Sequence, residues 1–333
     1  MRLKEEGHIN FIFIFSIACL LMVVIFMLSI VLGSADVNIQ TVFNAILNYD
    51  STNVDHNIIV DIRIPRVIGA LLVGTALAVS GAGIQSVTRN SLADPGLIGL
   101  NSGAALMIAL TYAFSLSVSF EKLIFTSFLG AMIGGTMVIM IGRSKRGGFN
   151  STRLILAGAA ISALLSALSQ AVALFFRLNQ SITYWSSGGV SATTWKQIYI
   201  GSPIVIIVVV LFILISRHLS ILNLGESVAK GLGQNVKLIQ FVTLLLSMLL
   251  AGIAVAIVGQ IAFVGLMVPH IARFLVGTDY KKVIPLTAVM GGSLVLAADT
   301  VARLMGESPV SAIISFIGVP YFLYLIKKRG RTI

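Results

Sequence analysis

Ten long apolar runs separated by short polar loops constrain the fold of this chain more than any other feature. The first run, Phe11 to Leu32, has 22 residues, and a helix of that length is about 33 Å long, enough to cross the hydrocarbon core of a membrane. The other runs are Val67 to Val87, Leu97 to Val118, Leu123 to Ile141, Leu154 to Phe176, Ile198 to Ile215, Ile239 to Val258, Ala262 to Val276, Val283 to Ala302 and Val310 to Ile326. Inside a bilayer a single segment pairs all its backbone groups only as a helix. The expected fold class is therefore an all-α, polytopic membrane protein of about ten transmembrane helices.

The composition agrees with this class, since 57% of the residues are hydrophobic and only 11% are charged. No loop is long enough for a second folded domain, so residues 1–333 are expected to form a single transmembrane domain. The run from Ala262 contains Gly265 and Pro269, which predict a short or broken helix. The single cysteine, Cys19, excludes a disulfide framework and a cysteine metal site, and no cofactor or metal is expected.

The first apolar run has a competing interpretation as a signal peptide. Gly33 and Ala35 resemble a small-residue cleavage site after a basic start. The run is longer than a typical signal core, which favours a retained span.

The distribution of Lys and Arg over alternate loops predicts the orientation. Ten crossings put both termini on the same side, and sixteen of the 23 basic residues fall on that side against six on the other, with Arg273 inside a run. Cytoplasmic loops retain positive charge, so both termini are expected to be cytoplasmic in a multi-pass protein of the cell membrane. The net charge of +11 reflects this asymmetry and contact with membrane lipid rather than binding of nucleic acid.

The longest loop, about residues 33–64, is expected on the outer surface. It contains Ile39, Phe43, Ile46 and Leu47 at helical spacing, followed by the polar stretch NYDSTNVDHN. This pattern predicts an amphipathic helix lying on the membrane surface and then an exposed turn.

A polar stretch of about residues 217–238 falls on the predicted cytoplasmic side. Gly225 and Glu226 suit a helix start, Val228 and Leu232 share a helical face, and Gly233 suits a helix end. A helix this short cannot span a bilayer and needs the membrane surface or another protein to hold it. The sequence contains no phosphate loop of the type G-x-x-x-x-G-K-[ST], so any ATP-driven step must come from another polypeptide.

Small residues at four-residue spacing predict close packing between spans. They are Gly130 and Gly134 in the fourth run and Ala159, Ala163, Ala167 and Ala171 in the fifth. Beside the alanines, Ser162, Ser166, Ser169 and Gln170 lie on one helical face. This polar strip predicts either hydrogen bonds between helices or the wall of a water-filled path, and the spacing leaves both open.

Asp299 and Arg303 stand four residues apart in the ninth run, so they can form an ion pair on one helix. One interpretation is a structural pair, and the alternative is an ion-coupled secondary transporter that uses Asp299 as a proton or sodium relay. A membrane-embedded enzyme would need a catalytic constellation such as H-E-x-x-H, and the sequence contains none.

Seven motifs occur in an order that resembles a known family. They are RIPR (Arg63 to Arg66), GTALAVSGAGIQSVTRNSLADPGLIGLNSGA (Gly74 to Ala104), WSSGG (Trp185 to Gly189), LGESVAKGLG (Leu224 to Gly233), GQIAFVGLMVPHIARFLVGTD (Gly259 to Asp279), ADTVAR (Ala298 to Arg303) and GVPYFLYLI (Gly318 to Ile326). With these motifs the chain resembles permeases of the iron-siderophore and cobalamin importer family, the FecCD family, over nearly its whole length.

The resemblance implies a type II ABC importer permease architecture. Such a permease pairs with a second permease, identical or homologous, binds two ATP-binding subunits on the cytoplasmic side and receives cargo from an extracellular substrate-binding protein. ATP hydrolysis is then expected on a partner, so the chain itself is not expected to be an enzyme. The implied cargo is a metal chelate, most often an iron(III)-siderophore complex, with haem and cobalamin as alternatives.

The resemblance also implies roles for particular residues. Those expected to couple the permease to the ATPase are Gly225, Glu226, Ala229, Leu232 and Gly233. Those expected to present exposed arginine forks to the binding protein are Arg63, Arg66 and Arg303, with anchoring at the membrane edge or pairing with Asp299 as alternatives. Those expected to line the translocation path are Ser162, Ser166 and Gln170, and those expected at a cytoplasmic gate are Asn150, Ser151 and Thr152.

Overall fold

The computed structural model describes residues 11–33, 38–91, 93–96, 99–115, 118–142, 151–178 and 189–329. Regular structure in these ranges is helical, and no β-strand occurs in them. The helices are α1 (Phe11–Val31), α2 (Ile39–Leu47), α3 (Val54–Asn57), α4 (Ile64–Thr88), α5 (Leu100–Phe114), α6 (Phe120–Gly142), α7 (Ser151–Phe175), α8 (Trp195–Asn223), α9 (Glu226–Gly231), α10 (Val236–Val258), α11 (Val264–Val276), α12 (Tyr280–Leu304) and α13 (Val310–Arg329). A π-helical turn, Ile58–Arg63, joins α3 to α4.

Each of the ten predicted apolar runs contains a helix among its described residues. Seven helical segments are long and apolar enough to cross a membrane, and α5, α11 and α13 are shorter apolar helices. The prediction of a short helix after Ala262 is confirmed, because α11 has 13 residues and contains Pro269. Helix α5 is shorter than its apolar run, because Gly99 adopts a left-handed conformation (φ 82°) and Ser115 is extended.

Local sequence signals fix where several helices begin. Thr194 and Gln197 form a capping box at the start of α8, with the Thr194 hydroxyl accepting from the backbone N–H of Gln197 and the Gln197 side chain accepting from that of Thr194. The side chains of Asn235 and Asp279 cap α10 and α12 in the same way, each accepting a backbone N–H of the first turn.

Helix α4 lies at the centre of the bundle and is largely buried by α8, α10, α11 and α12. Small residues make this possible, because a Cβ on Gly81 would lie 2.0 Å from the carbonyl oxygen of Gly265 in α11. A Cβ on Gly74 would lie 2.2 Å from the carbonyl oxygen of Gly291 in α12. The backbones therefore touch at these two crossings, which only glycine allows.

The predicted small-residue pair of the fourth run does bring two helices together. A Cβ on Gly130 of α6 would lie 2.1 Å from the carbonyl oxygen of Gly103 in α5, and one on Gly134 would lie 2.3 Å from that of Gly99. This part of the packing prediction is confirmed.

Helix α1 lies at the edge of the bundle, where it packs mainly along α12 and leaves about half of its apolar side chains exposed. Helix α2 is amphipathic, as predicted. Its apolar residues Ile39, Phe43, Ile46 and Leu47 are more than half exposed, whereas Val42 and Ala45 are buried. The exposed face is suited to lipid, and its place on the outer surface stays a prediction.

The two ends of α12 define the two ends of the bundle. At its start, the backbone N–H of Tyr280 donates to Oγ of Ser220 (2.8 Å) near the end of α8, close to α9. At its end, Arg303 meets the end of α1, while Arg66 from the start of α4 reaches Asp299. A helix of 25 residues is about 37 Å long, so α9 and the arginines lie at opposite ends.

Candidate functional sites at the two ends of the bundle

Arg66 is the centre of a buried charge cluster at the end of the bundle opposite α9. It donates from Nε and Nη2 to Oδ1 of Asp299, at 3.0 and 2.9 Å. It also donates from Nη1 and Nη2 to the two carboxylate oxygens of Glu307, at 3.0 and 2.8 Å. One guanidinium thus binds two carboxylates, and the arrangement toward Glu307 is the fork geometry that arginine favours.

Arg303 approaches Asp299 from the other side. Its Nε lies 3.3 Å from Oδ2 of Asp299, which confirms that the two residues pair on one helix. Its Nη1 donates to the carbonyl oxygen of Leu32 (3.3 Å), and its Nη2 donates to Oγ of Ser29. The Asp299 carboxylate is completely buried and lies between Arg66 and Arg303.

Arg63 is the third arginine of the cluster, and it binds carbonyl oxygens at the C-terminal end of α1. Its Nη1 donates to the carbonyl oxygens of Ile30 and Val31, at 2.7 and 2.8 Å, and Asp55 attracts its charge. Carbonyl oxygens at a helix C-terminus lack partners within the helix, so a guanidinium there stabilises the end of the helix.

The prediction that Arg63, Arg66 and Arg303 are exposed is wrong, because each is only 5–6% exposed. The carboxylates of Asp299 and Glu307 and the carbonyl oxygens of α1 offset the cost of burying these charges. A cavity of about 230 Å³ nevertheless reaches the cluster. It is lined by Gly33, Ile58, Ile62, Arg63, Arg66, Arg303 and Glu307.

Glu307 is a member of this cluster that sequence reasoning missed. It lies in the loop between α12 and α13, and its side chain is 46% exposed. The hydrogen bond from Arg66 lowers the pKa of Glu307 below its usual value, so the carboxylate is ionised at neutral pH. No sequence signal links the two residues, because 241 positions separate them.

The short helix α9 lies at the other end of the bundle, and its predicted start and end are confirmed. Gly225 precedes it with a φ of 126°, and Gly233 follows it with a φ of 77°. Both angles fall in the region that favours glycine. Glu226 accepts a hydrogen bond from Nε2 of Gln240 in α10 (3.1 Å), and Nζ of Lys230 lies 4.0 Å from its carboxylate.

The two faces of α9 differ. Leu224, Val228 and Leu232 are 68%, 44% and 65% exposed, so an apolar surface points away from the bundle. Ala229 is completely buried against Leu222 and its neighbours. A buried Ala229 packs α9 onto α8 and α10 and does not itself lie on the exposed face, and its expected role in coupling stays a prediction.

Part of the polar strip of α7 forms hydrogen bonds between helices, and its place along a water-filled path stays a prediction. Ser166 donates to Oγ of Ser102 (3.3 Å), and Ser169 donates to the carbonyl oxygen of Ala105 (3.5 Å), so these two serines bond to α5. Ser162 is partly buried, and its hydroxyl has no partner among the residues that the structure describes. Gln170 is exposed.

The alanine repeat of α7 does not pack within this chain. Ala159, Ala163, Ala167 and Ala171 are all exposed, so the prediction of close packing between spans is wrong for the contacts of a single chain. Of the predicted gate, Asn150 lies outside the described residues. Ser151 and Thr152 begin α7, where the structure describes their backbone alone.

A bundle of apolar helices, seven of which are long enough to cross a membrane, defines a multi-pass membrane protein. The model of the FecCD transport family matches residues 21–328, and the chain belongs to this family. It is a permease subunit of an ABC importer in the cell membrane. The family implies ATP-binding subunits, a partner permease and a substrate-binding protein.

Two curated relatives from Bacillus subtilis are permease proteins of iron import. The iron(3+)-hydroxamate import system permease protein FhuB is 43% identical over 307 residues, covering 91% of this chain and 80% of its own length. The iron-uptake system permease protein FeuB is 38% identical over 307 residues, covering 91% and 92%. Both matches therefore extend over most of each protein.

A solved structure has the same fold. It is described as an inward-facing conformation of an ABC transporter of the metal-chelate type and is 29% identical in sequence. The superposition gives a TM-score of 0.80 and covers 96% of this chain and 100% of that one. The agreement supports the helix arrangement on which the two sites depend.

Proposed function

We propose that this permease imports iron(III)-siderophore complexes, driven by two ATP-binding subunits and acting as one half of a permease dimer. The observation that carries the transport mechanism is the two-ended arrangement, with an exposed apolar helix at one end and a cavity over buried arginines at the other. The iron-import names of the relatives support the cargo. The whole chain acts as one transmembrane domain.

The ATP-binding subunits would dock on α9 at the cytoplasmic side, where both termini also lie. Leu232 offers apolar contact there, while Gly225 and Gly233 set the backbone at its two ends. Movement of α9 would pass to α8 and α10 through Ala229 and through the hydrogen bond between Glu226 and Gln240. Because α8 and α10 pack against the central helix α4, a movement of α9 would be transmitted through them to the centre of the bundle.

The substrate-binding protein would dock at the arginine end, on the outer side of the membrane. An acidic residue of that protein suits the cavity, because guanidinium groups pair well with carboxylates and steer association. The cluster formed by Arg63, Arg66 and Arg303 then has two roles, since it also joins α1, α4 and α12.

The translocation path would run along the interface between the two permeases, a second copy or a homologue. The alanines of α7 are exposed in the single chain and are suited to close approach by a second permease. Gln170 lies exposed beside them, Ser166 bonds to α5, and Ser162 is partly buried one turn before Ser166. Alternating access would open this interface to one side at a time, with residues 150–152 at the cytoplasmic gate.

Transport by the reconstituted complex tests this function. Vesicles would contain this permease, its partner permease and the ATP-binding subunits, with the binding protein outside and iron-labelled hydroxamate siderophore as cargo. We expect uptake only with ATP inside and binding protein outside. Uptake by this permease alone, driven by a proton or sodium gradient, would overturn the proposal in favour of the ion-coupled carrier.

A further inference from the structure

We infer that Glu307 occupies the docking position of the arginine cluster in the undocked permease and is displaced by a carboxylate of the substrate-binding protein. The inference rests on the proposed docking function and adds the residue with which the incoming carboxylate competes. The exchange takes place at Arg66, which binds Glu307 through two hydrogen bonds of 3.0 and 2.8 Å.

The two carboxylates on Arg66 differ in accessibility. Asp299 is completely buried and also lies beside Arg303. The Glu307 side chain is 46% exposed, and among the residues that the structure describes along the cavity Glu307 is the only carboxylate. A protein that approaches from outside therefore meets Arg66 at the edge that Glu307 covers.

The cavity has room for a second carboxylate. Its volume of about 230 Å³ is much larger than the about 15 Å³ that one water molecule requires. Arg63 and Arg303 also line it. An incoming acidic side chain can therefore enter beside Glu307 before Glu307 leaves.

The backbone conformation of the loop that carries Glu307 favours release of this residue from Arg66. Gly306 and Glu307 both adopt left-handed backbone conformations, with φ of 78° and 63°. This conformation suits glycine but is unfavourable for glutamate, which has a Cβ. The ion pair with Arg66 holds Glu307 in it, so loss of the pair removes the reason for the strained conformation.

The exchange also limits the cost of docking on buried arginines, because removal of a partner from a buried guanidinium is destabilising. Asp299 stays bound to Arg66, and one carboxylate replaces another at its remaining edge, so Arg66 has two carboxylate partners before and after docking. Glu307 moves toward solvent, where a free carboxylate is well hydrated.

Displacement of Glu307 would transmit docking of the binding protein to the neighbouring helices of the permease. The loop connects Leu304, the last residue of α12, to Val310, the first of α13. Only five residues lie between them, so a movement of Glu307 acts on the start of α13.

The test is the affinity of the binding protein for the complete transporter in lipid nanodiscs, measured for the parent and three variants. Glu307→Gln removes the competing charge, and we expect about two- to fivefold tighter binding, the upper part of the range for loss of one exposed ion pair. Arg66→Ala should weaken binding. Glu121→Gln is the matched control, because Glu121 forms an exposed pair with Lys196 (3.2 Å) outside the cluster, and it should leave the affinity unchanged.

The outcomes separate the two proposals. Weaker binding by Arg66→Ala together with unchanged or weaker binding by Glu307→Gln would overturn the displacement of Glu307 and leave docking intact. Unchanged affinity in both variants would overturn docking itself. If Arg66→Ala does not fold, Arg66→Lys keeps the charge and removes the fork, and docking predicts that it too binds more weakly.

Discussion

Arg66 and Asp299 are 233 positions apart in the sequence, yet Nη2 of Arg66 lies 2.9 Å from Oδ1 of Asp299. The pair joins the start of α4 to the end of α12, and Arg303 adds the end of α1. Both partners are buried, so neither can lose the other without leaving a charge in an apolar environment. The main role of Asp299 is therefore to hold α1, α4 and α12 together.

Replacement of Asp299 by Asn should destabilise the permease. The variant leaves two buried guanidinium groups without their shared carboxylate, and we expect a loss of about 3–5 kcal/mol. The measurement is thermal unfolding of the purified complex in detergent, with Glu121→Gln as the control for loss of an exposed carboxylate.

The Asp299→Asn variant also distinguishes a structural role of Asp299 from the relay role that an ion-coupled carrier would require. A relay residue predicts that Asp299→Asn folds with normal stability and loses only uptake. A structural ion pair predicts that stability and yield fall together. Normal stability in Asp299→Asn would contradict the structural interpretation.

Gly81 should not tolerate a side chain. A Cβ at this position would lie 2.0 Å from the carbonyl oxygen of Gly265, so Gly81→Ala must push α4 and α11 apart. We expect a loss of about 1–3 kcal/mol, measured by thermal unfolding. Gly231→Ala is the control, because nothing lies within 4 Å of a Cβ there, and it should stay within about 1 kcal/mol of the parent. Equal effects would show that the crossing is not tightly packed.

The helices could be predicted from the sequence because hydropathy is a local property. The apolar runs from Phe11 and Ile239 became α1 and α10 with small shifts at their ends. The short helix α9 was also predictable, since Gly225 and Gly233 mark both of its ends. In each case the signal lies within a few residues of the structure that it specifies.

The arginine cluster could be predicted only in part, because its contacts are not local. Asp299 and Arg303 share a helix, so their pairing follows from spacing. The contact between Arg66 and Glu307 does not, since it depends on how α4 packs against α12. Burial of Ala229 was likewise not predictable, because alanine is suited to a contact surface and to a buried helix face alike.

Leu232 should carry much of the association with the ATP-binding subunits. It is 65% exposed on the apolar face of α9, and its burial in an interface is worth about 1.5–3 kcal/mol. Leu232→Ser should therefore weaken association about ten- to hundredfold, measured by titration of the ATP-binding subunit onto the permease in nanodiscs. Thermal stability of the permease alone should not change.

Two further variants control this experiment. Leu304→Ser changes a leucine that is 59% exposed at the opposite end of the bundle, and it should leave association with the ATP-binding subunits unchanged. Ala229→Leu overfills a buried position and should lower the stability of the permease itself. Equal association by Leu232→Ser and the parent would show that α9 does not bind the ATPase.

The ion pair of Glu307 predicts a defined pH dependence. The hydrogen bond from Arg66 lowers the pKa of Glu307 below its reference value of 4.5. A carboxylate with a lowered pKa stabilises the folded state above its unfolded pKa, and this contribution is lost as the pH falls through the folded pKa. The difference in thermal stability between the parent and Glu307→Gln should therefore be constant from about pH 8 to pH 5 and shrink only below about pH 4.5. A difference that changes between pH 6 and pH 8 would mean that another group titrates with the pair.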